Sequence, residues 1–593
     1  MGYIWKLQQK SWKDDLPSIC QPLIRELKTE NGRICVRILR ISDAGHIFME
    51  KEPSEITQLL SRAKDFDETV RVVTQHIWGS YLMVLHDQEN GSRLFMADPL
   101  YTVRVYYRAS RDGSVEIDAD IGKFISGSSV SWNIDYLTNF ACSQFGIPGE
   151  TPFSGVRTVP PGCAMTIDIN GKISMHRAWL PHPVHDDDIL ADCPSALDKT
   201  YSSIVSTHST VCTALSGGVD SSAGAILLRR AIGPGKPIQA IHFFSASSPE
   251  FNEVELARQV AGSINADLIC INIEDHLPFS EMTTKAPPAS LSQDMLFLGI
   301  DREISRRIGA QAVLLEGQGG DLIFNSSPDA SVVLDAFHDR GLAFAFQTAE
   351  TLAMLHNESV PRVLVSAARL AARRCFLGDR SAVGLSGVFR NYRSRTGSDS
   401  ALFRTHPFSQ NRSPSFSHTI ASLDSMLTIM TPATESAYTR RLNPLLMQPV
   451  VEAALAMKTY EGFTSENDRI VLRRIAHSYT PTDVLWRRTK GTFDIGFMKG
   501  IQENCQEFRE LVYNGVLMGA GRLDETEFEK MLRQVSVGQS AAGITLALIG
   551  CVEIFCAAWT AHLSGRRALL HPQDSMNLHR DRVERFALHE NCE

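Results

Sequence analysis

The sequence predicts two joined folds: an α+β N-terminal domain built on a β-sandwich over residues 1–185, then an α/β domain over 195–593 in which helices, some of them inserted, wrap a parallel sheet. Three observations predict this. At 593 residues the chain is too long for one hydrophobic core. Up to about residue 175 short apolar runs alternate with turn signals, whereas beyond residue 210 strand-like and helix-like runs alternate with each other. Between them, residues 181–195 shift abruptly to Pro, His and Asp, which reads as an interdomain linker; Pro181 and Pro183 deny the His and Asp residues beside them the regular spacing of a metal-ligand set.

In the first domain, strands are expected at 34–41, 81–85, 93–97, 103–108, 115–118 and 164–169. Turns such as Glu89-Asn90-Gly91-Ser92, Arg111-Asp112-Gly113 and Asn170-Gly171 separate them. In the second, strands at 211–215, 238–244, 268–273 and 313–315 alternate with helices at 223–230, 253–263 and 296–308. That alternation implies a parallel sheet, whose ligands bind beyond the carboxyl ends of its strands. Two glycine-rich turns fall there.

The first turn is Ser216-Gly217-Gly218-Val219-Asp220-Ser221-Ser222. Adjacent glycines let successive backbone N–H groups face one anion as a helix begins, so a phosphate fits. Ser216, Ser221 and Ser222 add hydroxyl donors, and a carboxylate such as Asp220 in a phosphate cradle makes sense chiefly as a Mg²⁺ ligand. No lysine stands in the turn, so it is not the Gly-Lys-Ser/Thr phosphate loop. The second turn, Gly317-Gln318-Gly319-Gly320-Asp321, follows the strand ending at Leu315 and brings a second carboxylate to the same sheet edge, unless it is only a turn between elements. Two carboxylates around phosphates make a hard, oxygen-only site suited to Mg²⁺.

Net charge is −8, from 59 Lys plus Arg against 67 acids, which argues against nucleic-acid binding through a basic surface. Residues 362–412 invert the trend, with ten arginines, no lysine and only Asp379 and Asp399 as acids. They form either a solvated helical surface or an electropositive lid for an acidic peptide or departing pyrophosphate. The twelve cysteines are scattered and the residues after Met1 are not a signal-peptide core, so a cytoplasmic protein is expected. The apolar stretch 541–563 contains Glu553 and is expected as a buried helix, with no membrane association.

These residues carry a resemblance. The turn at 216–222 resembles the pyrophosphate loop of the ATP-pyrophosphatase superfamily (adenine nucleotide α-hydrolase-like), whose members convert ATP to AMP and pyrophosphate while activating a carboxylate or carbonyl-type oxygen. In the first domain Trp78-Gly79-Ser80-Tyr81, Ala97-Asp98-Pro99-Leu100, Val105-Tyr106-Tyr107, Thr151-Pro152-Phe153-Ser154-Gly155 and Pro160-Pro161-Gly162 fall in the order of the glutaminase domain of asparagine-synthetase-type amidotransferases. That glutaminase uses a cysteine directly after the initiator methionine as nucleophile, with its own α-amine as base. Position 2 here is Gly2, and Cys20 and Cys35 stand too far in, so the resemblance implies a glutaminase-like sandwich unable to hydrolyse glutamine.

Asp321 matches the second magnesium ligand of asparagine-synthetase-type enzymes, with Leu322 where they usually have Glu. Pro444-Leu445-Leu446-Met447-Gln448-Pro449-Val450-Val451-Glu452 looks most like lasso peptide macrolactam cyclases. The glutamate that asparagine synthetases carry shortly before this segment has no counterpart: Thr439, Arg440 and Arg441 stand there, with Glu435 the nearest acid. Arg487-Arg488-Thr489-Lys490-Gly491-Thr492-Phe493 resembles the element bearing the catalytic lysine of β-lactam synthetases and lasso cyclases.

The resemblance implies Lys490, Asp220 and Asp321 as catalytic residues, the two aspartates as metal ligands, and ATP and Mg²⁺ as cofactors. The nucleotide set it implies is Leu215, Ser216, Gly217, Gly218, Asp220, Ser221, Ser222, Phe244, Gly317 and Gly319. The function it implies is ATP-dependent ring closure in a ribosomal precursor peptide, core with leader, aided by a leader peptidase and a leader-recognition protein. The alternatives are an amide synthetase acting on a small molecule, and a non-catalytic binding protein of the same fold.

Overall fold

The computed structural model describes residues 5–6, 20–30, 32–41, 47–125, 131–180, 189–247, 253–282, 287–288, 290–377, 388–390, 414–430, 438–488, 494–539 and 542–564. Among the described residues the first domain holds two larger antiparallel sheets and a two-stranded one, Ile47–Met49 with Ile77–Gly79. Of the larger pair, one has six strands in the order Ile173–Arg177, Cys163–Ile167, Arg93–Ala97, Tyr81–Asp87, Ile34–Ile41, Cys20–Lys28; the other has four, Trp5–Lys6, Val115–Asp118, Tyr106–Ala109, Arg157–Thr158. Alternate residues of both larger sheets, among them Leu82, Val84, Phe95, Met165, Tyr107 and Ile117, form one buried cluster. The strand expected at 103–108 is shorter, Tyr106–Ala109, and six strands at 5–6, 20–28, 47–49, 77–79, 157–158 and 173–177 were not expected.

The other face of the six-stranded sheet carries Val36, Ile38, Met83 and Met96. It packs on two helices, Pro53–Ser61 and Phe66–His76, through Ile56, Leu60, Val70 and Val73. That cluster continues without a break into the second domain, through Leu215, Val313 and Val450. The two domains therefore share a core. The expected linker is partly helical: a helix starts at Ile189 and runs to Thr207, while 181–188 lie outside the described residues. Pro194 is the sixth residue of that helix, past the first turn, so it removes the one intrahelical bond its N–H would have made.

The second domain has five parallel strands, numbered here β1 (Val211–Ala214), β2 (Gln239–Phe244), β3 (Asp267–Asn272), β4 (Val313–Leu315) and β5 (Arg440–Leu442). Their order across the sheet is β3-β2-β1-β4-β5. The chain thus winds outward from β1 to one edge, returns to β4 beside β1, and winds to the other edge. Between β1 and β4 lies the switch point, where the loops diverge and leave a crevice. Helices α1 (Val219–Ile232), α2 (Val254–Ser263) and α3 (Leu298–Ile308) make the crossovers. Strand β5 was not expected, because Arg440-Arg441-Leu442 has no apolar pattern and its place rests on pairing with residues 313–315.

Helix α4 (Pro414–Ile429) follows the arginine-rich stretch, most of which lies outside the described residues; its first part is helical, Val360–Leu377. Helix α5 (Gly543–Leu563) is long and apolar enough to span a membrane, but 72% of its apolar window is buried inside the molecule. It is a core helix, packing through Phe555 and Trp559 onto Phe153 of the first domain. Glu553, the charge within it, accepts hydrogen bonds from Val516 N–H (2.6 Å) and Leu517 N–H (2.9 Å), so its carboxylate caps a buried helix start.

Candidate active site

The two glycine-rich turns follow β1 and β4, the strands that flank the switch point. After β1, the Leu215 N–H donates to the Ile241 carbonyl (2.8 Å), and Gly217 adopts a left-handed φ of 85°. An L side chain would be strained there, and its Cβ would lie 3.1 Å from Leu256 Cβ. The turn leads into α1, whose N-cap is Gly218 with no side-chain cap bond, so the first N–H groups of a 14-residue helix face the crevice. Ser216 and Ser221 hydroxyls hydrogen-bond each other (2.8 Å), and the Ser216 Oγ also receives the Gly218 N–H (3.2 Å). Ser222 is instead fully buried on the inner face of α1, away from the crevice.

The second turn packs onto the first. A Cβ on Gly317 would stand 2.9 Å from the Asp220 carbonyl carbon and from Ser221 N, and a Cβ on Gly320 would stand 2.7 Å from Asp220 Oδ1. These glycines are required by close approach. Asp321 then opens a short helix beyond the turn, exposed, its Oδ1 accepting its own neighbour Leu322 N–H (3.0 Å). Gly319, at φ 85°, abuts Leu446 of the Pro444-Leu445-Leu446 segment. Phe244 ends β2, half-buried, on the same sheet edge.

Arginines absent from the sequence-based set surround Asp220. Arg469 Nη1 pairs with Asp220 Oδ2 at 2.8 Å. Asp468 accepts from Arg469 Nε (3.2 Å), Arg473 Nη2 (2.8 Å), Ser326 Oγ (3.1 Å) and Ser327 N–H (3.2 Å), tying the segment after Asp321 to the same cluster. Burial would raise the Asp468 carboxyl, but the Arg473 hydrogen bond and the Arg469 charge overcome that and hold it below its usual range. Arg487 donates to the Gly217 carbonyl (3.2 Å) and pairs with Glu253. The element carrying Lys490 is thereby anchored on the first turn, although Lys490 itself lies outside the described residues, as does Glu435. Beyond that gap Lys499 pairs with Glu274 (2.6 Å), which follows β3; the ammonium and the Ser245 and Ser247 hydroxyls hold that carboxyl down to about 2.

The site suits a nucleotide triphosphate with Mg²⁺. Its glycines leave room where a Cβ would collide, α1 offers an uncapped N-terminus, and cationic side chains converge from Arg469 and Arg487. Among the described residues no cluster of three or more His, Cys, Asp or Glu forms a metal cage. Mg²⁺ held by two carboxylates takes its remaining ligands from phosphate and water.

A cleft of about 1240 Å³ begins at Asp321 and extends between Ser331–Arg340, α4 and residues 454–462. The Gln448-Pro449 part of the lasso-like segment lies elsewhere. Gln448 Nε2 donates to the Thr74 carbonyl, and Glu452 Oε1 accepts from Trp179 Nε1 (2.9 Å), so both residues dock the first domain. Asp98 is also at the domain interface, buried in a cavity of about 100 Å³ that Arg441 and Asn443 help to line. Burial pushes its carboxyl up to about 7.

A family model described as asparagine synthase matches residues 194–559. A carboxyethyl-arginine beta-lactam-synthase from Streptomyces clavuligerus is 28% identical over 181 residues, which is 28% of this chain and 33% of that protein. The chain thus matches about a third of that relative's length. Among solved structures, a glutamine phosphoribosylpyrophosphate amidotransferase from B. subtilis, complexed with ADP and GMP, covers 50% of this chain and 73% of its own at 12% identity and a TM-score of 0.18. An allosteric regulatory enzyme of purine biosynthesis covers 49% and 70%, also at 12% and 0.18. Likenesses that slight carry no structural argument.

Proposed function

Because the chain belongs to the asparagine synthase family, we propose that it is an ATP-dependent amide-forming ligase, and that its product is a macrolactam closed within a ribosomal precursor peptide. The observation that carries the reading is the meeting of Asp220 with Gly317 and Gly320 at the switch point, next in the chain to Asp321, which lines a cleft of about 1240 Å³. Small-molecule pockets run roughly 300–1,000 Å³, so a cleft of this size favours a longer substrate.

Asp220 and Asp321 would hold Mg²⁺, which when bound neutralises triphosphate charge. The α1 N-terminus and the turn hydroxyls bind the phosphates, and Arg469 holds the Asp220 carboxylate in one orientation. An Asp or Glu side-chain carboxylate of the substrate displaces pyrophosphate from ATP, giving an acyl-adenylate. The peptide's N-terminal amine then attacks the acyl carbon, AMP leaves, and the amine proton passes to solvent or a base. Lys490 offsets the charge that builds in these steps. Keeping both ends of one peptide together is an entropy task for the cleft. A peptide α-amine, with pKa about 7.7–8.0, is substantially neutral near pH 7, whereas ammonia is mostly ammonium. The substrate's own amine is therefore the nucleophile, in the cytoplasm, with a leader peptidase and a leader-recognition protein upstream.

Synthetic linear peptides with a free N-terminal amine and one internal Asp or Glu, given ATP and Mg²⁺, should lose one water and form AMP without glutamine. A product that instead requires glutamine or ammonium, and exchanges a hydroxyl for an amide, sinks the cyclase reading. The similarity to a beta-lactam-synthase favours the second reading, a small-molecule amide synthetase. A small amino-acid derivative outcompeting every peptide for adenylation would establish that instead.

A further inference from the structure

The cleft that begins at Asp321 is not built by the second domain alone. Gln144 and Phe145 of the first domain line it. They form a fixed corner. Gln144 closes the helix Ile134–Ser143 in a left-handed conformation, φ 62°, with its N–H on the Phe140 carbonyl (2.8 Å). Its Oε1 accepts from Gln293 Nε2 across the domain boundary (3.0 Å). Asn139 Nδ2 donates to the Phe145 carbonyl (2.9 Å), and Gly146 N–H donates to Thr428 Oγ1 of α4 (2.9 Å). A Cβ on Gly146 would lie 3.0 Å from Thr428 Cβ and collide with the Tyr136 hydroxyl, so the corner is pressed directly onto α4. The Phe145 ring itself stays half-exposed.

Helix α4 has two occupied faces. Ser415, Thr419, Ser422 and Met426, spaced three or four residues apart, face the cleft. The other face belongs to the first domain: Asp424 forms a buried pair with Arg177, with Nη2 to Oδ1 at 3.0 Å, and Arg104 donates to the Thr428 (3.1 Å) and Met430 (2.8 Å) carbonyls at the helix end. The α4 wall of the cleft is therefore held by two side chains of the other domain, Arg104 and Arg177. The cleft lining mixes hydroxyls, suited to peptide N–H and C=O groups, with the Phe145 and Phe416 rings and Met426, suited to apolar side chains.

We propose that the first domain is a substrate-binding part of the synthetase site: Phe145 and Gln144 contact an extended peptide segment beside Asp321, while Arg104 and Arg177 are positioning residues that hold α4 against it. The proposal rests on the peptide reading given above. Its test uses the full chain and a panel of synthetic linear peptides, each with a free N-terminal amine, one internal Asp or Glu and a C-terminal fluorophore. Peptide affinity is read by anisotropy and ATP affinity separately by equilibrium dialysis.

Phe145→Ala should weaken peptide binding about tenfold, the loss typical of an aromatic contact truncated at an interface, with ATP affinity unchanged. Phe145→Tyr keeps the ring and should restore it. Arg104→Met, remote from any ligand, should weaken peptide binding with the same indifference to ATP. Wild-type peptide affinity in Phe145→Ala, or an equal loss of ATP affinity, overturns the proposal and leaves the peptide reading standing. Failure of the wild-type protein to bind any peptide of the panel overturns both.

Discussion

At the scale of single residues, Asp220 is held by Arg469, and its partner turn approaches within contact distance through Gly317 and Gly320. Asp220→Asn leaves Arg469 its second carboxylate, Asp468, so folding should persist. Pyrophosphate release should fall by about 10²–10³, as for loss of one preorganised electrostatic partner, and the same is expected of Asp321→Asn. Wild-type release from either variant would remove it from the metal site. Lys490→Met should bind ATP normally in equilibrium dialysis and lose about 10²–10³ in product formation. Unchanged turnover would return the lysine to a surface role. The glycines of the two turns were legible in sequence, because close backbone approach restricts the residue type at each position. Arg469 was not. Its only local sign is that it directly precedes a helix, Ile470–Tyr479, and its partner lies 249 residues away.

Among the elements, α5 shows how a charge is carried inside an apolar helix. Burial pushes the Glu553 carboxyl up to about 7, and the two backbone N–H groups it accepts only partly offset this. Its folded pKa exceeds its unfolded value, so its contribution to stability is fully present below about pH 4.5 and is lost as pH rises through about 7, a loss of at most about 3 kcal/mol. Glu553→Gln should remove that slope, since a neutral amide oxygen still accepts from the helix start. Melting temperatures at pH 5.5 and pH 8 should differ more in wild type than in the variant; parallel values would refute the assignment. That a buried helix lay at 541–563 was readable from apolar length with one acid inside. What the acid does was not, because Val516 and Leu517 reach it from another helix.

For the whole molecule, the parallel sheet and the strand-rich first domain could be read from periodicity. The joint between them could not. Gln448 and Glu452, conspicuous as a motif, prove to be interface residues, and Arg104, Arg177 and Gly146 meet α4 across separations of 247 to 326 residues that no local pattern encodes. The same long reach governs β5. Residues 440–442 complete the sheet by pairing with 313–315, so the chain between them must be made before the sheet can close. At synthesis rates of about 5–20 residues per second, several seconds or more separate emergence of the two strands. During that interval β4 is a bare hydrogen-bonding edge, open to wrong partners. Ribosome-stalled chains ending shortly before residue 440 should stay protease-sensitive through 313–315 and bind chaperones, and chains long enough to expose 442 outside the ribosome should resist. The crevice between β1 and β4, whose second turn rests on Leu446 just beyond β5, would then be among the last parts of the protein to exist.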